Sequence, residues 1–211
     1  MAREIEGVAA GVARPGTMVL DFGCGDRPYE RLFTDRGAAY SGADFGAIAE
    51  YEVRPDGHVS APDDAFDVVV SFQVLEHVRD VPTYLQETRR VLRADGLLLL
   101  STHGNWFYHP HPEDHRRWTR EGLIAELGGQ GFAVYECHPV VGPLAYASVL
   151  RMTIAAYALR KLPLVGRPLA GLLCLVENAI SWACDWATPR NVTADNACVY
   201  VTLSRREPKA S

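Results

Sequence analysis

At 211 residues the chain is long enough for one full globular domain and too short for two ordinary enzyme domains with a linker. Its 48% hydrophobic and 22% charged residues exclude the regime of disorder and predict a packed core. With 21 Lys and Arg against 26 Asp and Glu the formal charge is -5, so an overall basic footprint for nucleic acid is absent, and the grouping of Arg160, Lys161 and Arg167 is of a kind common on solvated surfaces. No apolar run reaches the ~18 residues that span a bilayer, and the first twenty residues lack a signal peptide's basic start and apolar centre. A cytoplasmic chain is expected. The five cysteines are scattered without a Cys-x-x-Cys pair, so neither a disulfide framework nor a zinc ribbon is expected.

In chain order, Ile5, Val8, Ala9 and Val12 recur at helical spacing over residues 4–13, and Pro15-Gly16 stops that pattern before TMVLDF at 17–22, which predicts a helix and then a buried strand. The strand runs into GCGDRP and a helical YERLF, with Pro28 where a first helical turn tolerates proline. AYSGAD predicts a second strand ending in Asp44, and a polar loop follows. FDVVVSF at 66–72 is a β-branched run buried on both faces, as parallel strands are. VPTYLQETRRVLRADG carries Tyr84, Leu85, Thr88, Val91 and Leu92 at helical spacing, with Gly96 closing the helix and LLLLST as the next strand. Beyond a loop at 103–118, Thr119 precedes a helical REGLIAELGGQG, then the strand FAVYECHPVV, and the last strand is ACVYVTLSRR at 197–206. Strands alternating with helices predict an α/β, doubly wound, mostly parallel sheet, with the final one or two strands open to an antiparallel setting. Residues 143–194 break the alternation and predict a helical insertion of two or more helices within a single domain covering 1–211.

Small residues at the carboxyl end of the first strand make a ligand site: Gly23 and Gly25 let a ligand approach the backbone where the next helix presents free N–H groups. A Walker loop is excluded by the missing Gly-Lys-Ser/Thr, and a dinucleotide loop by Pro28 at its third glycine position. With Asp21 before the glycines, Asp44 closing the second strand, FDVVVSFQVLEHV, and RRVLRADG before LLLLST, the chain resembles the class I S-adenosylmethionine-dependent methyltransferases, nearest the broad type 11 set. The resemblance covers residues 17–104, extends to about 142, resumes at 197–205 and omits 143–194. Asp26-Arg27-Pro28 stand where that family often has a further glycine.

The resemblance implies a Rossmann-like seven-stranded fold and S-adenosylmethionine as cofactor. It places Asp21, Gly23 and Gly25 along the cofactor's methionine and ribose, Asp44 on the ribose hydroxyls, Asp56 and His58 near adenine, and Phe72 and Gln73 beside the sulfonium. Glu76-His77 resembles the family's Leu-Glu-His stretch, where capping or a polar contact under the cofactor weighs as much as a chemical role. In-line methyl transfer needs alignment and, for a hydroxyl acceptor, removal of a proton. Four of the seven histidines, His103, His109, His111 and His115, fall within thirteen residues at and after the end of the fifth strand. His103, His109, His111 and Asp114 are the candidate bases, and Trp106, Tyr108, His115, Arg117 and Trp118 the candidate acceptor contacts. Asp114, Arg117, Trp118 and Thr119 resemble an Asp-x-x-Arg-aromatic-Thr signature of relatives; the plainer reading is an ion pair, a helix cap and a histidine-decorated surface loop. A divalent cation on His109, His111, Asp114 and His115 is a minority reading, and no metal is expected. These residues point to O-methylation of a small molecule, first a saccharide or glycosylated metabolite. The alternatives are N- or C-methylation of another metabolite or lipid, and a non-catalytic cofactor-binding partner protein. The apolar stripe of the insertion predicts a homodimer through 143–194 that also walls the acceptor pocket.

Overall fold

The computed structural model describes residues 2–46, 49–110 and 113–208. The chain divides into two compact units, Met1–His138 with Val199–Ser211, and Pro139–Cys198. The larger unit follows the order α1 (Ala2–Val12), β1 (Met18–Phe22), α2 (Glu30–Thr34), β2 (Ala39–Asp44), β3 (Tyr51–Glu52), β4 (Phe66–Phe72), α3 (Val81–Val91), β5 (Leu92–His103), α4 (Arg120–Gly129), β6 (Phe132–Val140), and it closes with β7 (Val199–Arg206). The strands form one sheet in the order β3, β2, β1, β4, β5, β7, β6. β1 to β5 pair in parallel, whereas β7 runs antiparallel to β5 from Leu97 opposite Arg205 to His103 opposite Val199. This is the doubly wound α/β arrangement that the alternation of elements predicts. Strand order reverses between β1 and β4, and in open α/β sheets the crevice outside the strand ends at such a point takes the ligand.

The core of this unit is built from strands that are apolar on both faces: Val19, Leu20, Val69, Val70, Leu98, Leu99 and Leu100 are completely buried. The helix α3 lays Val81, Tyr84, Leu85, Thr88 and Val91 against that core, one stripe at helical period. It starts at Asp80, whose carboxylate accepts from the Thr83 backbone N–H at 3.2 Å and from its hydroxyl at 2.8 Å. Its end corrects the sequence expectation. The helix stops at Val91, Leu92 pairs with Phe66 as the first residue of β5, and Gly96 lies inside that strand instead of closing the helix. The guanidinium of Arg206 donates to the Leu92 carbonyl, so a residue far along the chain satisfies the group that a local cap would have served. Pro28 likewise lies before the helix, since α2 begins at Glu30 behind Tyr29. The two-residue β3 was not anticipated from sequence; it continues the parallel pairing beside Ala43 and Asp44.

The second unit holds α5 (Pro143–Leu159), α6 (Gly166–Ala187) and α7 (Arg190–Asp195), the helices foreseen for 143–194. α5 and α6 pack on each other across a polar knot. Glu177 accepts from the Ser148 hydroxyl at 2.6 Å and from Arg151 at 2.8 and 3.1 Å, and Arg151 holds the carboxyl below its ordinary range. Among the described residues no helix is long and apolar enough to cross a membrane.

Candidate active site

The glycine loop leaves β1 at the reversal of strand order. Gly23 and Cys24 both donate to the Ala43 carbonyl, at 2.8 and 3.3 Å, which folds the loop over the end of β2. At Gly23 the backbone has φ +84°, and a Cβ there would stand 2.5 Å from Val74 Cγ2, so only glycine fits. At Gly25 φ is +47° and a Cβ would meet open space, so the loop offers room on its outer side. The Gly25 N–H donates to Asp44 Oδ2 and the Phe45 N–H to Asp44 Oδ1, both at 2.7 Å. Each carboxylate oxygen keeps a further lone pair for a hydroxyl donor.

Asp21, buried at the end of β1, accepts from the Tyr40 hydroxyl. Burial pushes its carboxyl up to about 6 despite that bond, with the Asp44 charge adding to the rise. Arg27 stands where the family often has glycine and adopts φ +55°; it donates to Glu50 at 2.7 and 2.8 Å, while Glu50 also accepts from the Gly42 N–H at 2.7 Å. That pair ties the altered turn back to β2 without closing the space at Gly25.

The strand β4 ends at Phe72, whose ring meets Tyr29 edge-on at 4.6 Å. Gln73 follows with φ +58°, its backbone N–H donating to the Ser101 carbonyl at 2.9 Å and its amide to the Ser101 hydroxyl at 3.0 Å. A single 3-10 turn, Leu75–His77, then brings Glu76 into the interior, fully buried. Glu76 Oε2 accepts from the Thr102 hydroxyl at 2.9 Å, and Oε1 stands 2.8 Å from His103 Nδ1. Burial acts to raise the Glu76 carboxyl, but His103 and the hydrogen bonds outweigh it and hold the group below its ordinary value. His103 lies flat against Trp106, with ring centroids 5.3 Å apart and planes 2° from parallel. His109 meets the rings of both His77 and His103 edge-on, at 5.1 and 4.8 Å. Four side chains from β5, the turn after β4 and the loop beyond β5 thus converge at the carboxyl edge of the sheet.

The rest of the loop is held by a clasp. Asp114 accepts from Arg117 Nη1 at 2.5 Å, and its other oxygen accepts from Nη2 at 2.7 Å and from the His109 N–H at 2.9 Å. Arg117 also donates to the carbonyl of Phe107, and Thr119 caps α4 through the Gly122 N–H at 3.0 Å. These are the contacts of the plainer reading of the signature. They correct the candidate base: Asp114, with both oxygens engaged and its carboxyl held far below the usual range by Arg117, is an anchor for the loop. Trp118, 8% exposed, belongs to the core and not to an acceptor surface, whereas Tyr108 is open to solvent. His115 donates its backbone N–H to the Glu76 carbonyl, and its ring pairs with Glu113 at 3.0 Å. Asp56 accepts from the His58 N–H, and His58 turns to Glu87 at 3.1 Å, so these two side chains are engaged in their own turn and with α3. His111 lies outside the described residues. Sequence reading left Glu76 and His77 undecided, and the Leu-Glu-His stretch was the signal that points to them. A hollow of about 780 Å3, lined by residues such as Asp64, Arg89 and Arg206, is at the opposite edge of the sheet from these groups.

The fold, the strand-order reversal and the glycine loop with an acidic residue closing the neighbouring strand define a class I S-adenosylmethionine-dependent methyltransferase. Residues 2–136 match the family model described as "Methyltransferase domain", and the chain belongs to that family. S-adenosylmethionine is the cofactor this membership assigns to it, and the open Gly25 and the lone pairs of Asp44 fit such a ligand. Over 106 residues the chain is 35% identical to a ubiquinone biosynthesis O-methyltransferase of Bradyrhizobium sp., covering 43% of this chain and 42% of that protein. Over 103 residues it is 32% identical to a malonyl-[acyl-carrier protein] O-methyltransferase of Serratia marcescens, covering 44% and 40%. The chain thus spans less than half the length of these two curated relatives. Among solved structures, the Burkholderia thailandensis 1,6-didemethyltoxoflavin-N1-methyltransferase with bound S-adenosylhomocysteine aligns with a TM-score of 0.60 at 18% identity, over 98% of this chain and 78% of that one, a likeness of fold alone.

Proposed function

We propose that the chain transfers a methyl group to a hydroxyl of a small molecule, with a saccharide or glycosylated metabolite as the first candidate acceptor. The observation that carries this reading is the convergence of His103 and His109 on the buried Glu76 at the carboxyl edge of β4 and β5, next in the sheet to the glycine loop. Bound at that loop, S-adenosylmethionine supplies an electrophilic methyl group. Asp44 is assigned to the ribose hydroxyls, Asp21, Gly23 and Gly25 to the methionine and ribose side, and Phe72 and Gln73 to the neighbourhood of the reacting carbon. An alcohol needs its proton removed in the transition state, and an imidazole within reach of the acceptor does this at neutral pH. His103 is the better placed base: the Glu76 carboxylate 2.8 Å from Nδ1 orients the ring. Trp106 and the exposed Tyr108 offer faces on which a sugar ring can stack. Both curated relatives named above are O-methyltransferases, which agrees with a hydroxyl acceptor. A homodimer through 143–194 is part of the same reading.

Two measurements test it. Asp44→Ala removes two charge-assisted hydrogen bonds, each worth roughly 1.5–3 kcal/mol, and should weaken calorimetric binding of S-adenosylhomocysteine by about tenfold or more. Unchanged affinity removes the ribose assignment. A screen of cell extracts with labelled methyl donor identifies the acceptor, and on that acceptor His103→Ala should lower turnover by about 100-fold or more with cofactor affinity retained. A loss of only a few-fold shows that the proton leaves by another route.

A further inference from the structure

We propose that Glu76, His77 and His109 form a site for one divalent transition-metal ion of the zinc type. One potential ligand atom from each of the three residues lies within 4.8 Å of the other two. In each ring Nδ1 faces a backbone carbonyl, which leaves Nε2 as the nitrogen available to an ion. His77 Nδ1 contacts the Glu113 carbonyl, and His109 Nδ1 lies 3.3 Å from the Phe107 carbonyl. A carbonyl can only accept, so each Nδ1 carries the proton and each Nε2 presents a bare lone pair. Metal-binding imidazoles are commonly held this way, the far N–H donated to a backbone carbonyl to set tautomer and ring orientation.

The third group is Glu76, fully buried, with Oε2 bonded to Thr102 and Oε1 without a hydrogen-bond partner although it stands 2.8 Å from His103 Nδ1, itself without one. A buried carboxylate is costly unless it is paired, hydrogen-bonded or coordinates a cation. Two lone pairs and a carboxylate oxygen converging in one place repel each other, and a cation removes the repulsion. Ligand distances of about 2.0–2.2 Å put donors roughly 3.5 Å apart in a tetrahedron, so small side-chain rotations close the observed spacing. Two imidazoles and one carboxylate suit zinc or its neighbours, whereas magnesium prefers an all-oxygen shell. Three protein ligands leave a fourth position for a water or an acceptor hydroxyl, whose proton such an ion makes easier to remove.

These ligands differ from the His109, His111, Asp114 and His115 set of the minority reading from sequence, because Arg117 occupies Asp114 and Glu113 occupies His115. The catalytic role of the ion rests on the methyl-transfer reading. The site itself does not depend on that reading.

The test uses tag-free full-length protein, stripped with a chelator, dialysed, and titrated with zinc by calorimetry and with cobalt(II) by visible spectroscopy. Expected are one ion per chain, a cobalt spectrum without a thiolate charge-transfer band, and affinity weakened by about tenfold or more in His109→Gln and Glu76→Gln. Should the buried Glu76→Gln not fold, the less buried His109→Gln and His77→Asn decide. No binding to the wild type, a thiolate band, or unchanged affinity in the histidine variants overturns the site. Binding of S-adenosylhomocysteine is measured on the same samples. Its failure counts against the cofactor reading alone, and the metal titration stands by itself.

Discussion

Asp21 and Asp114 show how one side-chain type takes opposite properties from its surroundings. Arg117 grips both oxygens of Asp114 and keeps it ionised, whereas Asp21 sits at a buried strand end with a tyrosine hydroxyl as its side-chain hydrogen-bond partner. Its carboxyl, pushed up to about 6 from 3.8, is favoured by folding in the neutral form. The stabilisation is therefore complete below about pH 4 and is lost as pH rises through about 6, to an extent of about 3 kcal/mol by the spacing of the two values. Asp21→Asn keeps an oxygen for Tyr40 and removes the charge. Its melting temperature should exceed that of the wild type at pH 7.5 and converge with it near pH 4, while binding of S-adenosylhomocysteine weakens. Parallel melting curves across that range would show that Asp21 does not titrate as its burial requires.

At the scale of the element, the glycine loop and β2 depend on close approach. Gly42 has ordinary backbone geometry, but a Cβ there would stand 2.6 Å from Cys24 Sγ. Gly42→Ala should cost about 1–3 kcal/mol through overpacking, and Cys24→Ala in the same chain should recover a good part of it, a coupling read by a double-mutant cycle in denaturant. Independent, additive effects would mean that the sulfur moves aside freely. Sequence periodicity reveals α3 and its buried Tyr84, Leu85, Thr88 and Val91 because that stripe is local. It does not reveal where α3 ends, since Leu92 is drawn into β5 by Phe66 and Arg206, residues distant in sequence. The glycine loop was legible for the same reason that α3 was: glycines between a strand and a helix carry their geometry with them. Glu76 was not, because its burial and its three imidazole neighbours arise only when the turn after β4 meets the loop after β5.

For the molecule as a whole, the question left by the fold is what covers α6. Val165, Leu169, Leu172, Leu175, Val176, Ile180, Trp182 and Trp186 are all exposed, with Trp186 at 83% and Leu175 at 70%. At 100° per residue they fall within one arc of less than half the helix circumference, continuous from the residue before α6 to its last turn. Twenty-two residues make a stripe of about 33 Å, far beyond the scattered apolar residues of an ordinary surface. Its polar flank carries Arg167, Asn178 and Asp185, a mixed set and not the Lys/Arg row of a helix lying on an anionic membrane. A second copy of the chain presents the same stripe and can cover it in a closed two-fold pair. Light scattering at micromolar concentration should therefore give twice the chain mass for the wild type. Leu172→Glu with Val176→Glu, two charges placed in the exposed stripe, should give a monomer that keeps the helical circular dichroism and the cofactor affinity of the wild type. A monomeric wild type overturns the dimer, and if that monomer also sediments with phosphatidylglycerol vesicles, the stripe belongs to a lipid surface instead.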